Sequence, residues 1–347
     1  MWKSVKIASA FVGVIVGAGF ASGQEILKYF TSFGYLGIIG VFVSTALFSY
    51  LGMNLTVIGS RLQTTSHKEA IYKICGKWLG FVVDAILVFT LFGVGVVMIA
   101  GAGSIVHQQF SIQPFIGSLI LMAIMIFTMM LNIDKIVNII GSITPFLFVM
   151  IVIISIYSLL TMDLSWNELN SIAKNQPSTL PNWFVSAVNY VSFNIAVGAG
   201  MSLVIGGAEM DERVAGRGGL LGGLGIGFLI MVAHLAIFSR IDSVASADMP
   251  LLKLFDEISP ILGIVMSVIL FGMIFNTGVS MFYAFVARFF PMDTKKTYIP
   301  IVVTSFVGFF ASFVGFTKLV DYFYPLIGYL GLFLVFALIY APYKIKG

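Results

Sequence analysis

Long apolar runs separated by short polar stretches dominate the chain. A membrane-spanning helix needs about 20 apolar residues, and ten runs come close to that length. The ten predicted spans are residues 4–31, 35–60, 81–107, 114–132, 135–162, 184–206, 218–240, 260–289, 298–316 and 319–342. The longest pieces between them are too short to form another domain. The pattern therefore predicts an all-α protein with a single integral membrane domain.

Composition supports the membrane class. The 347 residues are 59% hydrophobic and 10% charged, whereas soluble domains carry about 25% charged residues. The single cysteine, Cys75, excludes an intrachain disulfide. The basic residues are scattered, so no nucleic-acid partner is expected, and no obligate protein partner is evident.

The lysines and arginines predict the orientation in the membrane. Cytoplasmic loops carry the excess of basic residues. With the N-terminus inside, 14 of the 19 basic residues fall on the inner side and 5 on the outer side. We therefore expect a multi-pass protein of the cell (plasma) membrane with both termini in the cytoplasm.

Ten spans divide into two sets of five, residues 1–162 and 184–347. Because five is odd, the second set enters the membrane from the opposite side, as in the inverted repeats of many secondary transporters. Each set begins with a helix that carries glycines and polar residues near its middle. Span 1 contains GVIVGAGFASGQE (13–25), and span 6 holds Asn194, Gly198 and Gly200 near its middle. We expect both helices to be broken at the midplane.

The position of the first flaw matches the middle of the bilayer. About 14 helical residues at 1.5 Å each reach the midplane of a 30 Å hydrocarbon core, and counting from residue 4 leads to Gly17. A break there leaves free N–H groups for a carboxylate and free C=O groups for a cation. The alternative is that Gly17 and Gly19 merely allow close helix packing.

The GVIVGAGFASGQE segment resembles the first-helix signature of the amino acid–polyamine–organocation superfamily, whose members share the LeuT fold. The whole chain resembles the YkvI-like branch, a group of bacterial membrane proteins described either as uncharacterised or as candidate amino-acid permeases. The resemblance implies ten helices in a 5+5 inverted repeat. It also implies that helices 1 and 6 are unwound and that helices 3 and 8 flank them.

The resemblance also implies a substrate site. The backbone N–H groups of Gly17, Ala18 and Gly19 would hold a substrate carboxylate. Phe193 would act as an aromatic lid beside Asn194, and Gly198 would lie in the unwound part of span 6. From the residues themselves, four aromatic side chains are expected to line an apolar pocket: Phe20, Phe89, Phe92 and Phe193.

A sodium site is implied between spans 1 and 8. Gly13 and Val16 match positions whose carbonyls bind sodium in sodium-coupled relatives. On span 8, FNTGVS offers Asn276, Thr277 and Ser280. Relatives carry adjacent hydroxyl residues at this place, whereas this chain has Asn276–Thr277. Asn276 and Ser280 are four residues apart and share a helix face.

Three charged residues are candidates for a gate or a proton site. Glu25 could pair with Lys28 on the same helix. Lys28 could instead pair with Asp321 at the outer end of span 10, which would close the outer path. Glu25 is also the best candidate for a proton-coupled carboxylate, because a charged carboxylate at this depth is costly.

Three further features have plainer interpretations. The glycine-rich 218–228 segment resembles a dinucleotide motif but lies in an apolar span, so close helix packing explains it better. His234 is expected to be a packing residue, and Asp84 an interfacial one. The His, Cys and carboxylate spacing indicates no metal-binding cluster.

We therefore predict a secondary transporter, not an enzyme. Its substrate would be a neutral amino acid or similar small zwitterion, coupled to sodium or protons, with no cofactor. Its expected partners are the small-molecule substrate and the lipid bilayer. The first alternative is a ligand sensor on the same fold, like the permease-like subunits of germinant receptors. A membrane enzyme or a channel are further alternatives.

Overall fold

The computed structural model of the chain describes residues 2–64, 67–130, 144–290 and 297–344. Within these ranges the backbone is helical almost throughout and forms no strand, so the all-α class is confirmed. Residues 131–132 of the fourth predicted span and 135–143 of the fifth lie outside the described residues. The same holds for four of the inner basic residues: Lys135, Lys295, Lys296 and Lys346.

The first half of the chain supplies seven described helices. They are α1 (Trp2–Ile15), α2 (Ala18–Ser22), α3 (Gln24–Tyr29), α4 (Tyr35–Leu62), α5 (His67–Phe110), α6 (Pro114–Met130) and α7 (Thr144–Leu160). The first predicted span therefore consists of three helices. Helix α5 bends at Gly76, whose φ of 76° is non-helical, and so joins the segment before the third span to that span.

The second half supplies the remaining helices. They are α8 (Trp166–Lys174), α9 (Trp183–Gly207), α10 (Glu212–Phe238), α11 (Ile241–Val244), α12 (Pro250–Ile258), α13 (Pro260–Ala287), α14 (Tyr298–Ala311) and α15 (Phe316–Lys344). Six of the described helices are long and apolar enough to cross a membrane, and three apolar helices are shorter. The count of ten crossings and the two inverted repeats stay predictions.

The helices form two groups. In the first, α10 and α9 pack on α4, and α1 packs on α10 and α9. In the second, α13 and α6 pack on α5, and α14 packs on α6. Helix α15 contacts both α9 and α5, and the short α2 contacts α13. The broken first span therefore lies where the two groups meet.

Glycines on α10 allow its close approach to α4. A Cβ added at Gly219 would collide with the backbone of Gly52, and one at Gly223 with the backbone of Ser49. Small residues at such contacts let transmembrane helices approach closely. The 218–228 segment is therefore a packing face, as its position in an apolar span suggests.

The sixth predicted span is one continuous helix, which corrects the expectation that it is broken. Helix α9 runs from Trp183 to Gly207. A Cβ at Gly198 would lie 2.5 Å from Ile15 Cδ1, so this glycine makes room for α1. The Ser202 hydroxyl donates a 2.7 Å hydrogen bond to the Gly198 carbonyl within the helix. Gly198 therefore serves packing and is not unwound.

Candidate functional site

The first span is interrupted at Val16 and Gly17, as predicted. Helix α1 ends at Ile15 and α2 begins at Ala18. Gly17 is extended, with φ −94° and ψ −168°. Its N–H donates to the Ile15 carbonyl at 3.0 Å, two residues back instead of four. The helical hydrogen-bond ladder therefore stops at this point.

The interruption leaves backbone groups on both sides of the break. Within the described residues, the carbonyls of Gly13, Val14 and Val16 accept no backbone N–H. On the other side, the N–H groups of residues 18–20 donate to no backbone carbonyl in the part of the chain that the structure describes. Such unpaired groups at helix ends normally form hydrogen bonds with side chains, water or ligands. The break therefore presents acceptors and donors within a few residues of each other.

A second interruption at Gly23 separates α2 from α3. Gly23 has φ 81°, a left-handed conformation that glycine adopts without steric cost. An added Cβ would also lie 2.9 Å from the backbone nitrogen of Leu251. Glycine is therefore required here, and α3 starts immediately afterwards with Glu25 in its first turn.

A cavity of about 280 Å³ lies at the break. Its walls come from α1, α2, α3, α5, α9, α13 and α15. It brings together eleven of the residues that the sequence selected. These are Gly13, Val16, Gly17, Ala18, Gly19, Glu25, Phe193, Asn194, Asn276, Thr277 and Ser280. Their contacts with a ligand or an ion stay predictions.

Several residues predicted for the pocket do not line this cavity. Phe20 is buried elsewhere in the core, and Gly198 packs against α1. Phe92 stacks on Phe282 with a centroid distance of 5.7 Å. Phe89 is 44% exposed. Apolar periodicity placed the four aromatic candidates on helices but could not show which side of its helix each one occupies. Of the four, only Phe193 lines the cavity.

Two contacts lie on the side of the cavity that is predicted to be extracellular. Phe193 on α9 stacks on Tyr324 on α15, with ring centroids 4.2 Å apart. One turn before Tyr324, Asp321 Oδ2 lies 3.1 Å from Lys28 Nζ. Lys28 therefore pairs across the interface with α15 and not with Glu25. The role of this pair as a gate stays a prediction.

Glu25 lies at the edge of the cavity between three helices. Its Oε2 accepts a 3.2 Å hydrogen bond from the Tyr190 hydroxyl of α9. A Cβ at Gly19 would collide with the Glu25 carboxyl and would lie 3.3 Å from the Tyr324 hydroxyl. Gly19 therefore makes room for a carboxyl that turns back onto α2.

The α13 wall of the cavity supplies neutral oxygen atoms. Asn276 Oδ1 is buried and, within the described residues, has no hydrogen-bond partner. A Cβ at Gly17 would lie 3.9 Å from Thr277 Oγ1, so α13 and the break are close together. Buried polar atoms normally have partners. An unpartnered amide oxygen next to the free carbonyls suits a hard cation.

Sequence reasoning missed several cavity residues. Tyr324 lines the cavity and is three residues after Asp321, on the same helix face. Four methionines also line it: Met98, Met201, Met273 and Met281. The last two are four residues before and after Thr277, and that spacing could have identified them. Tyr190, whose hydroxyl donates to Glu25, had no feature in the sequence that distinguished it from the other tyrosines.

Two other titratable candidates have structural surroundings. The His234 Nδ1 atom lies 3.0 Å from the Thr31 hydroxyl, deep in the core. Asp84 forms an ion pair with Arg288 at the end of α13. Both arrangements agree with the plainer interpretations that the sequence favoured.

The chain is similar in sequence to a membrane protein of Bacillus subtilis (strain 168). It is 27% identical over 337 residues to the protein named Uncharacterized membrane protein YkvI, and the match covers 96% of this chain and 94% of that protein. No family model matches the chain. The similarity agrees with the expected YkvI-like branch and with a membrane protein.

Solved structures identify the architecture. The structure of MhsT in complex with L-phenylalanine matches with a TM-score of 0.69 at 18% identity, over 94% of this chain and 87% of MhsT. This chain has the LeuT fold. A mutant of the Eremococcus coleocola manganese transporter matches with a TM-score of 0.60 at 14% identity, over 98% of this chain and 77% of the transporter.

Proposed function

We propose that this protein is a secondary transporter for a small zwitterion, a neutral amino acid with an apolar side chain. The observation that carries the proposal is the cavity at the break in span 1. There the free N–H groups of residues 18–20 can donate hydrogen bonds to a carboxylate. The walls beside them, from Val94, Met98 and Phe193, are apolar.

The structural neighbours include carriers of both an amino acid and a metal ion, and the described residues of this chain favour the first substrate class. MhsT was solved with L-phenylalanine, whereas another neighbour is a manganese transporter. Within the described residues, no three His, Cys, Asp or Glu side chains form a group that could hold a metal ion. The described residues therefore offer a divalent-metal substrate no cluster of three such side chains.

Alternating access is supported by the unequal sides of the cavity. The Lys28–Asp321 pair and the Phe193–Tyr324 stack lie on the predicted outer side. A larger apolar cavity of about 1030 Å³ lies along the N-terminal part of α1 and shares Gly13 and Asn276 with the first. A substrate at the break would have its path on the predicted inner side.

The proposed coupling ion is sodium or a proton. Sodium would bind between α1 and α13, at the carbonyls of Gly13 and Val16 and the side chains of Asn276, Thr277 and Ser280. A cation bridging these helices would favour the state in which they are close together, because a ligand shifts a population towards the state that it binds better. Proton coupling would act through Glu25.

The experiment is a thermal-shift screen of the purified protein against the common amino acids, in sodium and in potassium buffer. A ligand present at about 100 times its Kd stabilises the folded state by about 2.7 kcal/mol. We expect one or more apolar amino acids to raise the melting temperature. If none of them does, the proposed substrate class is wrong.

A counterflow assay in liposomes then separates a transporter from a sensor. A transporter loaded with unlabelled amino acid accumulates labelled amino acid from outside. A protein that binds the ligand and shows no counterflow would be a ligand sensor on the same fold.

A further inference from the structure

We propose that the Glu25 carboxylate binds the ammonium group of the substrate and releases a proton when it does so. The inference rests on the proposed function and adds to it the group that recognises the amine. Without substrate the Glu25 carboxyl carries a proton, so that the proton and the substrate ammonium occupy the site alternately.

The continuous helix α9 removes the acceptors that a broken sixth span would have offered. Carbonyls in the middle of an uninterrupted helix already accept hydrogen bonds from the next turn. The Tyr190 carbonyl in addition accepts a 3.0 Å hydrogen bond from Asn194 Nδ2. The substrate ammonium therefore needs an acceptor on another element.

Glu25 supplies that acceptor at the edge of the same cavity. Its Oε2 is held by the Tyr190 hydroxyl at 3.2 Å. The other oxygen, Oε1, is the atom that a Cβ on Gly19 would strike first, so it lies over α2. The site that suits a carboxylate and the site that suits an ammonium are therefore only a few atoms apart, as the two charged groups of an amino acid require.

Glu25 has no cationic partner in the described residues. Its lysine neighbour three residues on, Lys28, is paired with Asp321, and none of the described residues that line the cavity is basic. The titratable groups beside the carboxyl are the hydroxyls of Tyr190 from α9 and Tyr324 from α15. Tyr29, on the same helix as Glu25, donates its hydroxyl to Asn189 Oδ1 at 3.3 Å.

The lack of a cationic partner in the described residues determines whether the Glu25 carboxyl is ionised. An ionised carboxylate that is buried at membrane depth without a partner is costly. In the empty site the carboxyl therefore keeps its proton. When a substrate arrives as an ammonium ion, the carboxyl O–H bond breaks and the proton passes to solvent. The ammonium N–H groups then donate to the carboxylate, and the net charge of the site is again balanced.

The test uses L-phenylalanine as the probe and compares it with two truncated analogues. Phenethylamine lacks the carboxylate and keeps the amine, and 3-phenylpropionate lacks the amine. Calorimetric titration of the whole protein in two buffers of different ionisation enthalpy counts the protons released. We expect about one proton per bound L-phenylalanine, weaker binding as the pH falls, and no proton release with 3-phenylpropionate.

The variant Glu25→Gln keeps the size of the side chain and removes its charge. We expect its affinity for L-phenylalanine to fall about 10- to 100-fold and to lose its pH dependence, with no proton release. If wild-type protein binds L-phenylalanine without releasing a proton, the inference is wrong whether or not the variant folds. It is also wrong if Glu25→Gln binds L-phenylalanine as tightly as wild type does.

The outcomes also distinguish this inference from the proposed function. If wild-type protein binds no amino acid in the thermal-shift screen, the proposed function fails and the inference falls with it. If wild-type protein binds L-phenylalanine but Glu25 does not affect binding, the proposed function stands. The ammonium is then recognised elsewhere.

Discussion

The same four letters, VGAG, occur in span 1 at residues 16–19 and in span 6 at residues 197–200. In span 1 they mark a break between two helices, whereas in span 6 they are part of one helix of 25 residues. The intrinsic helix propensity of the two tetrapeptides is identical. What differs is what surrounds them.

The residues that surround the two tetrapeptides differ. In span 1 the Glu25 carboxyl occupies the space beside Gly19. Gly23 adds a left-handed turn with φ 81°. Near Gly198, in contrast, the Ile15 side chain fills the space that the missing Cβ leaves, and the helix continues. A glycine pair therefore permits a break but does not impose one.

The two regions also contribute differently to the cavity. The broken span presents backbone groups, whereas α9 presents the side chains of Phe193, Asn194, Val197 and Met201. An inverted repeat, as predicted here, would therefore be used asymmetrically. Substitutions in the broken span should weaken ligand binding, whereas substitutions in α9 should lower the stability of the fold.

The largest effect is expected for Gly17→Leu. The extended backbone at Gly17 accepts a larger residue, and the nearest atom to an added Cβ is Thr277 Oγ1 at 3.9 Å. The leucine would project into the cavity and block access to the free N–H groups. We expect amino-acid affinity to fall by about 100-fold or more, equivalent to about 2.7 kcal/mol, while the protein still inserts and folds.

The control for this variant is Gly17→Ala, whose single methyl group fits the available space. It should retain most of the affinity, as measured by the same thermal-shift titration. Full binding by Gly17→Leu would mean that the substrate does not bind at the break.

A stability effect is expected for Gly206→Ala on the continuous helix. The added Cβ would lie 2.7 Å from the Cα atom of Thr56 on α4, and backbone cannot move aside cheaply. Overpacking of this kind costs about 1–3 kcal/mol. We expect the melting temperature of the purified protein to fall by several degrees.

The matched control for that variant is Gly13→Ala on α1, where nothing lies within 4 Å of the added Cβ. Alanine at a helix position is favoured over glycine by about 1 kcal/mol, so the melting temperature should be unchanged or higher. If Gly206→Ala were as stable as Gly13→Ala, the close contact between α9 and α4 would not exist in the folded protein.

The smallest effect is expected for Thr277→Val, which keeps the shape of the side chain and removes its hydroxyl oxygen. If this oxygen binds sodium, amino-acid affinity should fall by about 10-fold, or 1.4 kcal/mol, in sodium buffer. It should stay unchanged in sodium-free buffer. An equal loss in both buffers would argue against a sodium ion at Thr277.

Much of the architecture could be predicted from the sequence because lipid imposes simple requirements on a chain. Spanning helices must be long and apolar, and a polar interruption is tolerated only inside protein or next to a cavity. The all-α class, the break at Gly17 and a cavity that includes Thr277 therefore followed from residue patterns and resemblance. Which faces of the helices meet did not follow.

The sequence by itself determined where the long apolar helices lie and that span 1 could break at its glycines. Only the tertiary structure decided that span 6 stays whole, that Phe20 and Gly198 lie away from the cavity, and that Glu25 faces Tyr190. The physical reason is that glycine only removes a constraint. In both spans a side chain fills the freed space, Glu25 beside Gly19 and Ile15 beside Gly198, so whether the helix also breaks depends on the surrounding residues and not on the tetrapeptide itself.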